Sequence, residues 1–294
     1  MDVSAPHGIV ERRRAHRAGA ALGLLLALAG AGAGASPAAA VSRARASSCA
    51  PTVRAELRET SELDAVAWRL AHGDSLHVAL GGMRARPVVA ESMHLIGYFD
   101  DRSLTTAVAA RFCAHLRDPR LSQVGISRTD RDIWIVVAAP FEAPSGDPLT
   151  VARDVLVGVN DARTHGHHCG GRWFPPAAPV RLVPLLTSVA QRRSAEMAGR
   201  GELEHTGADG SSPADRVERA GYVARVVAEN IAGGVQNAGE AVQGWLDSPG
   251  HCANIMDPRF TEMGLGFAVN PSAPLQIYWT QLLALPRLPT VARR

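Results

Sequence analysis

Three short strings in the chain carry residue types that can do chemistry. Asp247, Ser248 and His251 fall within five positions and offer the members of a nucleophilic triad. A catalytic serine of that kind sits on a sharp exposed turn, but no Gly-x-Ser-x-Gly elbow surrounds Ser248, and the three groups crowd one helix end. "HGDSL", His72 to Leu76, contains the Gly-Asp-Ser-Leu string of one class of ester hydrolases. Its serine would have to follow a buried strand, with an Asp-x-x-His near the C-terminus. The preceding "LDAVAWRLA" reads as helix instead, and no Asp-x-x-His closes the chain. "HGHHC", His165 to Cys169, offers imidazoles and a thiol for a metal, but a glycine-rich loop collects histidines without ligating anything. None of the three is expected to do the chemistry its pattern suggests.

A longer pattern places the remaining candidates. "FCAHLRDPRLSQVGIS" (Phe112 to Ser127) returns 139 residues later as "HCANIMDPRFTEMGLG" (His251 to Gly266). "VVAESM" (Val88 to Met93) likewise precedes "VVAENI" (Val226 to Ile231) in the same order. A period this long is a whole domain, so the chain reads as a duplication. Four cysteines allow three connectivities. Cys113 and Cys252 occupy the same place in the two copies, and each has one cysteine upstream. Pairing within each copy gives Cys49–Cys113 and Cys169–Cys252.

Turn and helix signals complete the map. The cluster "APSGDP" (Ala143 to Pro148) is a linker whose Asp147 can cap a helix opening at Pro148. That helix buries Ala152, Leu156 and Val159, and "GHHCGGRWFPPAAP" follows as loop. A second helix is expected from about Pro184 to Ala198, with Leu185, Leu186, Val189, Ala190, Met197 and Ala198 inward and Gly199 and Gly201 stopping it. A short helix spans Pro213 to Ala220. A third main helix starts at Asn237 with Glu240 in capping-box position, buries Val242, Trp245 and Leu246, and ends at Ser248-Pro249. Strands follow in "EMGLGFAVN", with Met263, Leu265, Phe267 and Val269 alternating, and in "QIYWTQLLA". Helices followed by paired strands indicate an α+β fold, with helices covering an antiparallel sheet.

The N-terminus reads as an export signal. "ERRRAHR" is a basic n-region, Ala18 to Ala35 an apolar small-residue run, and Ala38-Ala39-Ala40 a cleavage site. The expected organisation is a signal peptide at 1–40, a degenerate first domain at 49–141, a linker at 142–148, a second domain at 149–285 and a tail at 286–294. After cleavage no transmembrane anchor is expected, and the protein is secreted or periplasmic. Leaving out residues 1–40 removes four of the 31 basic and two of the 28 acidic residues, so the remainder is near-neutral. That balance gives no electrostatic footprint for nucleic acid.

The second copy resembles the CAP or SCP-like domains, the family of cysteine-rich secretory proteins, antigen 5 and plant pathogenesis-related proteins. The matching pieces are "LEHTGADGSSPADRVERAGY", "AENIAGG", "AVQGWLDSPGHCANIMDPRFTEMGLGF" and "IYWTQLL", all in family order over residues 149–285. The resemblance implies an α-β-α sandwich with a cleft over the sheet, preceded by a smaller degenerate CAP-like domain. It also implies a cleft set of two His and two Glu, sometimes with a divalent metal. His205 in "EHTG" matches the first His and Glu229 in "AENI" one Glu. Ser248 stands where the second Glu belongs and Tyr278 where the second His belongs. His251 is the candidate third polar group, and Tyr278 and Gln281 are candidates for the cleft wall.

Two imidazoles and a carboxylate can hold Zn²⁺ with one position open, or form a metal-free hydrogen-bonded cluster in which Glu229 sets the tautomer of His205. The missing second Glu favours the cluster. In the first copy Glu91 aligns with Glu229, but no His aligns with His205, which implies a structural or interaction role. The leading reading is therefore an exported, non-enzymatic module whose His205/Glu229/His251 cleft binds a small amphipathic or lipid ligand or a partner. The rivals are a metal-dependent hydrolase in the same cleft, with Glu229 as general base, and a structural envelope protein with a vestigial cleft.

Overall fold

The computed structural model describes residues 36–53, 56–97 and 99–287. The expected leader falls mostly on residues 1–35 and the expected tail mostly on 288–294, both outside the described residues. The chain opens with α1 (Pro37–Ala44), a π turn at Arg45–Cys49, β1 (Arg58–Glu59), α2 (Ser61–Ala71) and α3 (Leu76–Leu80). Then follow β2 (Val89–Ile96), α4 (Asp101–Arg111), a 3-10 turn at Cys113–Leu116, β3 (Gln123–Arg128) and β4 (Asp132–Ala139). Next are α5 (Pro148–His165), β5 (His167–Cys169), β6 (Arg172–Phe174), β7 (Arg181–Leu182), α6 (Pro184–Arg200) and α7 (Pro213–Arg219). The chain continues through β8 (Ala224–Gly233), α8 (Ala238–Asp247), α9 (Pro249–Met256), β9 (Glu262–Val269) and β10 (Ile277–Pro286).

These elements build the same architecture twice. The first sheet has strand order β1-β3-β4-β2 and the second β7-β9-β10-β8, with only the first pair of each parallel. In the second half, Ile277, Trp279 and Leu283 of β10 pack with α5, α8 and α9, while Leu282 and Ala284 pack with α6 and α7. The first half divides likewise: Ile133, Ile135 and Val137 meet α1 and α4, and Val136 and Ala138 meet α2. Both are helix–sheet–helix sandwiches of α+β type.

The duplication extends to individual side chains. Gly125 lies against the backbone of Leu63 in α2, and Gly264 against that of Leu186 in α6. A Cβ at either would come within 2.1 or 2.2 Å of a backbone carbon, so no larger residue lets the helix sit this close. Arg45 is buried and donates to the carbonyls of Leu116, Asp118 and Leu121. Arg163 is buried and donates to Ile255, Asp257 and Phe260, each 139 residues further on, and to Ala178. Burial pulls both guanidinium groups below their usual pKa, and Asp118 and Asp257 offset part of that. Each Arg satisfies carbonyls that would otherwise be orphaned around the Asp-Pro-Arg turn.

Disulfides join Cys49 to Cys113 and Cys169 to Cys252. Their sequence separations of 64 and 83 residues restrict the unfolded chain by roughly 4–5 kcal/mol each in the entropic picture. Among the described residues no helix is long and apolar enough to cross a membrane.

Several local expectations are corrected. "GHHCGGRWF" is not loop: β5 and β6 pair as a hairpin, with Cys169 opposite Arg172 across Gly170-Gly171. α8 ends where expected, with Ser248 as its C-cap, and Pro249 opens a further helix, α9, that was not expected. Leu185 is 37% exposed and outside the core, and Val269 is exposed where β9 reaches the sheet's end. Gly199 lies inside α6, and the left-handed Gly201 caps it. The expected cleavage after Ala40 is not corrected and stays a proposal; in the uncut chain Ala40 lies in α1, whose Ala38, Ala40, Val41 and Ala44 are buried.

Candidate functional site

β8 is the edge strand of the second sheet, and consecutive residues on it face opposite layers. Glu229 stands opposite Leu282 and Asn230 opposite Gln281. Glu229 therefore points to the α6/α7 side, and Asn230 to the α9 side. An acid that is 1% exposed needs cationic partners, and Glu229 has two. His205 Nδ1 lies 3.0 Å from Oε1, and Arg216 donates to Oε2 at 2.7 Å. Towards an ionised carboxylate Nδ1 must be the donor, which leaves Nε2 as the ring's other polar atom.

Each partner is held by its own element. α6 ends at Gly201, and the loop after it carries His205, half-exposed, over the carboxylate. α7 starts at a capping box between Ser212 and Asp215, which sets its first turn and aims Arg216 inward. Arg216 also donates to the Ser211 carbonyl at 2.8 Å.

His251 lies on α9, in the layer opposite Glu229, and its ring makes no hydrogen bond to His205, Glu229 or Arg216 among the described residues. Asn230 donates to the His251 carbonyl (3.1 Å) and to Gln281 Oε1 (2.9 Å), and Asn254 donates to Asn230 Oδ1 (2.9 Å). This amide chain pins α9 to β8, and the Cys169–Cys252 bridge ties the same helix to β5. Burial holds the His251 imidazole below its ordinary pKa, and the nearby His205 adds to the effect. The ring is thus biased towards its neutral form.

The remaining expected residues fall elsewhere. Ser248 joins α8 to α9 and makes no side-chain hydrogen bond to His205, Glu229 or His251 among the described residues. Asp247 is engaged by Gln243 at 2.7 Å, so the three members of the apparent triad do not assemble. Tyr278 is fully buried among Met197, Ala198, Ile231 and Ala273, a core residue and not a wall of the cleft. Gln281 is also fully buried and acts through Asn230. Ser75 of "HGDSL" caps α3.

Arg216 is the residue that sequence reasoning missed. Its one signal was that a buried acid on an edge strand needs a cation, and "DRVERAGY" supplies two arginines three positions apart, of which only folding selects one.

The metal option fails on the same geometry. Among the described residues no group of three or more His, Cys, Asp and Glu is placed to hold an ion. Both oxygens of Glu229 are already engaged, one by a guanidinium that occupies the place a divalent cation would need. The residues do not fit a zinc centre.

In the first half, strand pairing overrides the sequence alignment of Glu91 with Glu229. With Gly125 matched to Gly264, the residue opposite Val136 is Ser92, and Ser92 holds the place of Glu229. The one-residue slip turns Glu91 to the opposite face, where His115 Nδ1 meets it at 2.8 Å.

Residues 171–283 match the family model described as CAP, the cysteine-rich secretory protein family. The uncharacterized protein YkwD of Bacillus subtilis is 31% identical over 103 residues, 35% of this chain and 38% of that protein. An extracellular protein containing an SCP domain from Bacillus anthracis aligns at 18% identity and a TM-score of 0.40, over 55% of this chain and 56% of that one. A cysteine-rich secretory protein from Staphylococcus aureus aligns at 10% identity and a TM-score of 0.38, over 55% of each chain. The chain thus covers less than two thirds of each of these relatives.

Proposed function

Residues 171–283 form a domain of the CAP family, and from that premise we propose that this chain is an exported, non-enzymatic binding module. Its working surface is the His205 face held by Glu229 and Arg216, with His251 of α9 as a further candidate, and its ligand is a small amphipathic molecule or a partner presenting one. Two disulfides fit an oxidising compartment outside the cytoplasm.

The buried carboxylate of Glu229, held at both oxygens, carries this reading. A general base needs a free lone pair within reach of substrate, and a metal ligand needs an oxygen not held by another cation. Glu229 offers neither, because His205 and Arg216 take one oxygen each and burial seals the group. What the cleft does present is the half-exposed His205 ring and a His251 biased to neutrality, suited to hydrogen-bonding a polar head group.

The test is elemental analysis of the purified protein together with solvent extraction and mass spectrometry of what co-purifies. The expected result is substoichiometric zinc, a melting temperature unmoved by chelator, and an extracted or added amphiphile that stabilises the parent but not His205→Ala. Stoichiometric zinc with a chelator-sensitive melt would overturn it in favour of a metalloenzyme. Absence of any stabilising amphiphile, with His205→Ala behaving as the parent, would leave the cleft vestigial.

A further inference from the structure

On the α6/α7 side of Arg216, away from the Glu229 carboxylate, lies a cavity of about 370 Å³, within the size range of small-molecule sites. Four arginines line it: Arg192 and Arg193 from α6, and Arg216 and Arg219 from α7. The lining contains two acids, both engaged. Glu196 takes Arg193 at 2.7 Å and the Ala208 N–H at 2.5 Å, and Asp209 takes Arg219 at 2.6 Å. Glu229 balances Arg216 from behind. Arg192 has no acidic partner within 4.0 Å among the described residues, and bonds only to Ser188 Oγ at 2.7 Å.

The Nε–H groups of Arg193 and Arg216 are both buried and both lack a hydrogen-bond partner. Both atoms are sealed behind the cavity wall, so the guanidinium open to the cavity and without an acid is that of Arg192. Arginine forks arriving from two helices suit a tetrahedral oxyanion, which offers acceptors in several directions, better than a single carbonyl.

We infer that the cavity between α6 and α7 is a second ligand site, taking a small molecule that carries a phosphate-type oxyanion. Arg192 and the exposed edge of Arg219 meet the anion first, and Arg193 and Arg216 form its rigid base. The valine and alanine side chains of the lining leave room for a short organic remainder. The cavity and the His205 cleft share Arg216 as a dividing wall, so the two sites have separable variants.

The test is isothermal titration at fixed ionic strength with two probes, inorganic phosphate and glycerol phosphate. One-to-one saturable binding of at least one probe is expected. Tighter binding of glycerol phosphate would assign an organic phosphate, and equal affinity a free phosphate. Arg192→Ala should weaken binding about tenfold and Arg192→Glu abolish it. Arg192 is exposed and its one contact lies within its own helix, so neither change threatens the fold. No saturable binding of either probe, or undiminished binding by Arg192→Glu, would overturn the inference and leave the cleft proposal standing.

Discussion

His251 shows how one side chain reports on its neighbourhood. Burial first, and His205 second, hold its imidazole below the ordinary value of 6.5. The unfolded chain therefore takes up a proton that the folded chain resists. The ring's contribution to stability is complete above that ordinary value and is lost as pH falls from there through the lowered folded value. The one charged group acting on it is His205. Denaturant melts at pH 7.5 and 5.5 should show lower stability at the acid pH, and His251→Gln should recover part of the difference. Solvent screening of a partly exposed ring limits the recovered part to at most about 1 kcal/mol. An unchanged pH response in His251→Gln would mean that the ring is not perturbed.

Among the elements, α1 carries the clearest consequence. Ser36 and Pro37 start α1 as Asp147 and Pro148 start α5, with a side-chain cap followed by proline in the first turn. The two helices also fill corresponding places in their halves: α1 packs on α4, and α5 on α8. A chain starting at Ser36 keeps the cap and the buried Ala38 and Ala40, whereas one starting at Val41 loses both. The longer form should be more stable by about 1–3 kcal/mol in denaturant melts, and equal stability would show that the first turn contributes nothing. Helix boundaries were largely legible in the sequence, because caps and proline at helix starts act locally. Strand β8 was not. It is an edge strand with Glu229 facing one layer and Asn230 the other, so it lacks the apolar alternation by which a half-buried strand is recognised. The β5–β6 hairpin did carry a signal, in the Gly170-Gly171 turn between its strands.

At the scale of the molecule, each half has its own sheet, its own apolar core and its own disulfide. A polar contact between them is Gln276 Nε2 to the Arg86 carbonyl (2.9 Å), and the linker's Glu142 N–H donates to Gln236 Oε1 (2.5 Å) within the second. Residues 142–287 expressed alone should therefore fold cooperatively with the Cys169–Cys252 bridge formed and no reactive thiol. Circular dichroism melts and a thiol titration check this, and a chain without a cooperative transition would show that the second half depends on the first.

The amino-acid sequence by itself determined the features written in local chemistry and in repetition: the duplication, the cysteine pairing that follows from it, the helix starts and the residue types available to the cleft. Only tertiary structure decided which faces those residues occupy and what meets them there. It put Ser92 instead of Glu91 at the place of Glu229, turned Tyr278 into the core, and chose Arg216 over Arg219 as the cation against Glu229. The physical reason is the two-residue period of a strand. A slip of one position reverses every side chain, and the register that forbids the slip is set by packing between elements distant in the chain.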